Sequence, residues 1–402
     1  MHKQLAATYY DIDSRNVRPK AQTDMDGFCK AVWCSGEDFT LTDDMHELYE
    51  ALSAIIGDSG ILFKPTGGEG ALHWTLFQFQ TFPVSANPVA SMKPATFSQK
   101  DREDALEIGK MVAEFPPIHI EFNGIVRTRY GLFLAGYPSW DVNRLRDRFR
   151  AWGKDAIREP HPQDIFHATL LRFTKEPTSE QLGLLNIIVR AWRGRHLGSV
   201  QPRQWHYGYG TWLQGGEQPP RVVASWPAAP AHWILHRGLC AGPSTALENH
   251  QDLLCAAMEA GWDVELDLWK VGEQLYLGHD WADASKQPLT VPFFLGYKNA
   301  WIHCKNMEAL AYMINAAEAN ESLAHYFVHD IDEATLTNTG EAWCYPGKWA
   351  GRRSICVLPE RSATLAEASA TAFGLQRQIA GVCSDYLPAY FLTADLFTFN
   401  DE

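Results

Sequence analysis

The chain has no apolar run near the roughly 18–20 residues that a membrane helix needs. Its opening stretch, MHKQLAATYYDIDSR, lacks the apolar core of a secretion signal. A membrane span and an export leader are therefore not expected. None of the eight cysteines pairs with another in a C-x-x-C spacing, which argues against a structural zinc site. Cys304, Cys356 and Cys383 fall inside apolar, strand-like runs, so the expectation is buried, reduced thiols and a cytoplasmic protein. Positive charge is in short supply: 35 Lys and Arg stand against 48 Asp and Glu, a formal net charge of −13. That balance excludes broad, sequence-independent binding to nucleic acid, though a local basic groove could survive inside it. Solenoid-type repeats and low-complexity tracts are missing too. YPGKW (345–349) lacks the glycine spacing of a P-loop, and GGEG (67–70) reads as a plain turn before a strand.

What is present is an ordinary globular composition over 402 residues, 46% hydrophobic and 21% charged, with a generous 15 Trp. That length is comfortable for two domains. LQGGEQPP (213–220) holds a hairpin turn at 214–220, and WPAAPAHW (226–233) holds a Pro/Ala-rich linker. The boundaries expected are 1–226 for a first domain, 227–231 for the linker and 232–402 for a second domain. In the first part, short strands mix with helical stretches at 141–156 and 178–194, an α+β pattern. The polar segment 84–104 reads as a long exposed loop. The second part has a different rhythm. Strand-like runs at WILHRG (233–238), DVELDLW (263–269), AWIHCKN (300–306), HYFVHDID (325–332), SICVLPE (354–360) and AGVCSDYLP (380–388) recur, with helical stretches at 249–260, 307–318 and 363–378 among them. Strand, helix, strand is the signature of a parallel sheet and suggests a compact α/β (β/α) barrel, shorter than the roughly 250 residues usual for one.

Two short runs carry the chemistry of the first part. HWTLFQF (73–79) and HATLLRF (167–173) agree at four positions, H-x-T-L-x-x-F, and both alternate with the period of a half-buried strand. Alternation puts His73, Thr75, Phe77 and Phe79 on one face, and His167, Thr169, Leu171 and Phe173 on the other strand's face. A His and a Thr then stand side by side on each strand. Such a set suits metal-free phosphodiester cleavage. One imidazole takes a proton from the attacking water while the other protonates the leaving oxygen. The two Thr hydroxyls hydrogen-bond the phosphoryl oxygens as charge develops on them. Trp205, Tyr207 and Tyr209 share a strand face, where a base could stack or the rings could pack against the sheet.

With these paired motifs, residues 1–225 resemble the 2H phosphoesterase superfamily. The resemblance implies an α+β domain of two lobes, a site made of His73, Thr75, His167 and Thr169, and no metal. It also implies a small substrate: a 2′,3′-cyclic phosphate, a 2′–5′ linkage or a related nucleotide or RNA-end phosphodiester.

Polar residues in the second part cluster where strands end: His236 and Arg237, Glu248 and Asn249, Glu265 and Asp267, His279 and Asp280. Active sites of (β/α) barrels lie at those ends. Glu265 and Asp267, two apart on one strand, point the same way, which is costly unless a cation joins them. The order H-R-G, E-N, E-x-D, H-D resembles the glycerophosphodiester phosphodiesterase family, over residues 232–395. The resemblance implies a TIM-type barrel, His236 and His279 as an acid–base pair, and Arg237 and Lys305 on the substrate phosphate. It further implies Glu265, Asp267 and nearby Glu248 around a Mg²⁺ or Ca²⁺ ion, and Asp385 on the last strand. One position departs from the family: His303 stands where an acidic ligand belongs. A hard ion such as Ca²⁺ or Mg²⁺ prefers oxygen, so either the metal is bound more weakly, or a softer ion such as Mn²⁺ or Zn²⁺ is used, or Asp330 or Asp332 supplies the missing oxygen. The whole chain reads as a two-centre phosphodiesterase, or as a catalytic 2H domain joined to a barrel that serves as a binding or regulatory module.

Overall fold

A computed structural model of the chain describes residues 1–15, 27–64, 72–83, 97–153, 165–210, 220–285, 287–346, 348–375, 378–393 and 396–400. The turn expected at 67–70, and all of that expected at 214–220 except residue 220, lie outside the described residues. The chain divides into two compact units. One comprises Met1–Met111, Ile118–Pro227 and Phe397–Glu402, the other Val112–Pro117 and Ala228–Leu396.

Ten strands build most of the first unit. They are β1 (Gly27–Cys34), β2 (Phe39–Leu41), β3 (Gly60–Leu62), β4 (Trp74–Pro83), β5 (Ile120–Arg127), β6 (Gly131–Pro138), β7 (His167–Phe173), β8 (His196–Val200), β9 (Gln204–Gly210) and β10 (Arg221–Pro227). They form two sheets. In one, the order is β10–β9–β1–β4, and a short terminal strand, Thr398–Phe399, is added beyond β10. In the other, the order is β2–β8–β5–β6–β7–β3. Helices cover the sheets through apolar stripes of ordinary helical spacing. The helix Asp43–Ile56 buries Met45, Leu48, Leu52 and Ile56, and its N-terminus is capped by the Thr42 side chain, which accepts from the Met45 amide. The helix Asn143–Trp152 buries Leu145, Arg146 and Phe149.

The segment expected to be an exposed loop at 84–104 is helical in its last part, where the helix Gln99–Ala113 begins. Residues 84–96 lie outside the described residues, and two of the polar residues in the helical part are not exposed. Asp101 and Asp104 are buried and hold Lys30 of β1 at 2.7 and 3.2 Å. The aromatic face of β9 is likewise packed inside: Trp205, Tyr207 and Tyr209 are each at most 5% exposed, so the packing alternative holds and no ring there is open to a base.

The second unit carries β11 (His232–Leu235), β12 (Asp263–Val271), β13 (Gln274–Leu277), β14 (Pro288–Leu289), β15 (Ala300–Cys304), β16 (His325–Val328), β17 (Ala334–Leu336), β18 (Ala342–Cys344), β19 (Ser354–Val357) and β20 (Gly381–Ser384). Parallel ladders run β16–β15–β12–β11–β20–β19–β18, so the last parallel strand lies beside the first. Among the described residues no ladder joins β16 to β18; β17 instead pairs antiparallel with β18. β20 passes so close to β11 that a Cβ at Gly381 would sit 2.3 Å from the His232 carbonyl oxygen. The Ile302, Leu266 and Val264 side chains, all fully buried, anchor one core of this unit, and Ile234, Trp301 and Ile355 another.

Candidate functional site

In the first unit, β4 and β7 belong to different sheets, yet their motifs line one cavity of about 90 Å³. Its walls include His73 and Thr75 from the first motif and His167 and Thr169 from the second. Arg172, Gln78, Arg146 and Arg150 add further polar groups. Among the described residues that line it there is no carboxylate, so the cavity is cationic within a chain of net charge −13.

Strict alternation breaks in both motif strands. Opposite β7, Leu132 pairs with Leu171 and Phe133 with Thr169, leaving Leu170 as an extra residue. Opposite β4, Val32 pairs with Phe77 and Trp33 with Thr75, leaving Leu76 as the extra one. Each is a β-bulge, which re-aims the side chains that follow it. The expectation that Leu171 and Phe173 share the face of His167 is therefore corrected: after the bulge it is Arg172 that lines the cavity with His167 and Thr169. On β4 the bulge likewise brings Gln78 to the cavity.

A guanidinium holds the β4 bulge and the approach to β7. Arg146 Nε donates to the carbonyl of the bulged Leu76 at 3.0 Å, and its Nη1 donates to the Ile165 carbonyl at 3.0 Å, just ahead of β7. One guanidinium thus ties the two motif strands together, over the Phe166 ring at 4.4 Å. Arg172 is different. Its Nη1 is buried without a hydrogen-bond partner, and burial draws the guanidinium down to about 10, opposed by the nearby Cys29. Burial pushes the Cys29 thiol the other way, to about 12, although Arg172 counters it. A buried guanidinium without a hydrogen-bond partner on Nη1 is a site waiting for an anion. The motifs by themselves single out neither Arg172 nor Arg146.

In the second unit, β12 and β15 pair with Asp267 beside His303. Glu265, Asp267 and His303 each turn one ligand atom into a cluster whose atoms lie within 4.8 Å of one another. Both carboxylates are buried, Glu265 at 2% and Asp267 at 0% exposure. Burial and then Asp267 raise the Glu265 carboxyl. Burial opposes the Asp267 charge too, but His303, Lys305 and Arg237 overcome it and hold that carboxyl well below its ordinary range. His236 Nε2 stands 4.0 Å from Glu265, and its Nδ1 donates to Asp385 at 2.8 Å. Lys305 Nζ is 3.4 Å from Asp267.

The other expected positions lie around the cluster as follows. Glu248 lies outside the cluster and accepts from Arg237 Nη1 at 2.8 Å. Arg237 is occupied by carboxylates, with Nε 3.1 Å from Asp267 and its backbone N–H on Glu265 at 3.0 Å. Asp330 and Asp332 do not join the cluster. His279 is half-exposed beside Asp280 at 3.1 Å, and burial, aided by the Arg237 charge, lowers its basicity. Asn249, absent from the expected ligands, proves central: its amide donates to Asp267 at 3.0 Å and accepts from the Asp267 N–H at 2.9 Å.

No family model and no curated protein matches the sequence. Among solved structures, the chain is similar to TT0787 of Thermus thermophilus, at 15% identity and a TM-score of 0.29, over 45% of this chain and 87% of that one. It is similar to E. coli LigT complexed with NADP⁺, at 14% identity and a TM-score of 0.29, over 50% of this chain and 98% of that one. A conserved protein of unknown function from Agrobacterium tumefaciens C58 matches at 15% identity and a TM-score of 0.26, over 46% of this chain and 81% of that one.

Proposed function

We propose that the first unit is a metal-independent phosphodiesterase of the 2H kind. The observation that carries this is the meeting of both His/Thr pairs, from two sheets, on one cavity free of carboxylates among its described residues. A cavity of about 90 Å³ suits a phosphoryl group, with the rest of the ligand outside. His73 and His167 divide the acid and base roles. One takes the proton of the attacking water as its oxygen bonds to phosphorus; the other gives a proton to the oxygen whose bond to phosphorus breaks. Thr75 and Thr169 donate to the non-bridging oxygens, and Arg172 meets the growing negative charge. The substrate class is a small cyclic or 2′–5′ phosphodiester of a nucleotide or RNA end. Six buried free thiols among the eight cysteines support a reducing, cytoplasmic setting.

The second unit we read as a metal-dependent phosphodiesterase of barrel type, supported by the convergence of Glu265, Asp267 and His303 beside His236. These residues fit a divalent ion: Asp267 Oδ1 is buried without a hydrogen bond in good geometry, although His303 and Lys305 stand near it. The ion would polarise a phosphoryl oxygen. His236, oriented by Asp385, and the more exposed His279 are placed to move protons, and Lys305 to meet the substrate phosphate.

One experiment addresses both centres. The full-length protein is assayed on cyclic, 2′–5′ and glycerol-type phosphodiesters with and without EDTA. Opening of the nucleotide diesters should survive EDTA and fall by about 10²–10⁴-fold in His73→Ala or His167→Ala. Cleavage of the glycerol-type diesters should vanish with EDTA and in His236→Ala. Chelator-sensitive opening of nucleotide diesters would overturn the two-histidine mechanism.

A further inference from the structure

Resting on the reading that this second-unit cluster holds a divalent cation, we infer that the ion is bound through nitrogen as well as oxygen. His303 Nδ1 is the third ligand, and the site takes a first-row transition ion such as Mn²⁺ or Zn²⁺ in preference to Mg²⁺ or Ca²⁺.

The imidazole is oriented for this. His303 Nε2 lies 3.0 Å from the His329 carbonyl oxygen, which can only accept, so Nε2 carries the hydrogen. In the neutral ring Nδ1 is then a bare lone pair. It faces Asp267 Oδ1 at 2.9 Å and Glu265 Oε1 at 3.9 Å, both of them acceptors when ionised. Three electron-rich atoms turned on one another repel unless something positive lies among them. Lys305 Nζ, 3.4 Å from the same Asp267 oxygen, offsets part of that repulsion, and a cation would offset the rest. A backbone carbonyl that fixes the far nitrogen is the usual companion of a metal-bound histidine, since it sets the tautomer and aims the ligating lone pair. Phe327 stacks on the ring at 5.2 Å and 11°, which restrains its rotation.

The surrounding charge agrees. Carboxylates outnumber cationic side chains around the cluster: Glu248, Glu265, Asp267 and Asp385 against Arg237 and Lys305. A divalent ion would offset that excess. An imidazole among the ligands shifts preference away from hard, oxygen-seeking ions and along the first-row series.

The test uses the full-length protein freed of metal and titrated calorimetrically with MnCl₂, ZnCl₂, MgCl₂ and CaCl₂. Mn²⁺ and Zn²⁺ should bind more tightly than Mg²⁺ or Ca²⁺ by about tenfold or more. Pulsed electron paramagnetic resonance of the Mn²⁺ form should show modulation from a directly bound ¹⁴N. In His303→Asp, folded by circular dichroism, Mn²⁺ should still bind, the ¹⁴N modulation should vanish, and Mg²⁺ and Ca²⁺ should gain on Mn²⁺. Mn²⁺ bound without ¹⁴N modulation, or with modulation that survives His303→Asp, would overturn the nitrogen ligand while leaving a cation site standing. Failure of all four ions to bind would overturn both.

Discussion

Arg172 separates what a residue does for catalysis from what it does for the fold. Its Nη1 is buried with no hydrogen-bond partner, and the guanidinium lines the cavity next to His167 and Thr169. Holding a charge in that position opposes folding, because the desolvation of Nη1 is not repaid by a hydrogen bond. Arg172→Met should therefore lower turnover of the nucleotide diesters by about 10²-fold, the usual loss for one group aimed at developing charge. Its melting temperature should stay level or rise. A variant that loses activity only in proportion to lost stability would show Arg172 to be a packing residue. Arg146 stands at the opposite pole. Its Nε and Nη1 donate to the backbone carbonyls of Leu76 and Ile165, so it ties the two motif strands together.

At the scale of elements, the two bulges explain what the sequence tells and what it conceals. A His and a Thr two apart on a strand announce themselves through alternation alone, and so do Glu265 and Asp267. Gln78 and Arg172 break that alternation, each five residues beyond its motif histidine. Their polarity in apolar runs is visible, but the bulge that turns them to the cavity depends on the partner strands β1 and β6, not on local pattern. His303 likewise reaches Asp267 through parallel pairing of β12 with β15, a contact that local periodicity does not encode. Asp101 and Asp104 mislead in the opposite direction, because a buried acidic pair for Lys30 looks, in sequence, like a solvated loop.

The turn between β17 and β18 offers a pH test at this scale. Burial opposes ionisation of Glu341, yet hydrogen bonds from Thr339, Arg353 and Thr337 bring its carboxyl from 4.5 down to about 2. A depressed folded value means stability that is fully present above 4.5 and is lost as pH falls through about 2. The thermal transition of the second unit should decline across that window. Glu341→Gln should flatten the decline and lower the transition at neutral pH. An unchanged slope in the variant would show that other carboxylates govern acid unfolding.

For the whole molecule, the first unit is discontinuous in sequence. Thr398–Phe399 extends its sheet beside β10, Asn400 N–H donates to the Val223 carbonyl at 3.2 Å, and Phe397 packs on Trp226 at 5.2 Å. A cut at Pro227 therefore does not yield the complete unit. Deleting residues 397–402 uncovers the backbone edge of β10, a liability in any sheet. The deletion should lower the melting temperature of the first unit, by roughly 2–4 °C for each kcal/mol lost in a domain of this size. Mn²⁺ binding should be unaffected. Equal melting of the deleted and intact proteins would show that the terminal strand adds nothing.

The same returning strand sets an order on biosynthesis. At about 5–20 residues per second, a ribosome spends roughly 9–34 s between Pro227 and Phe397. Throughout that interval both histidine motifs have already been made, while the strand that extends the sheet of β4 has not. The second unit is thus synthesised in full before the first can be completed. A message truncated just before the Phe397 codon would release a chain with every residue of the two-histidine cavity and an open edge on the sheet of β4. Quality control would then meet the loss of a few distal residues as a defect in the half of the protein that was translated first.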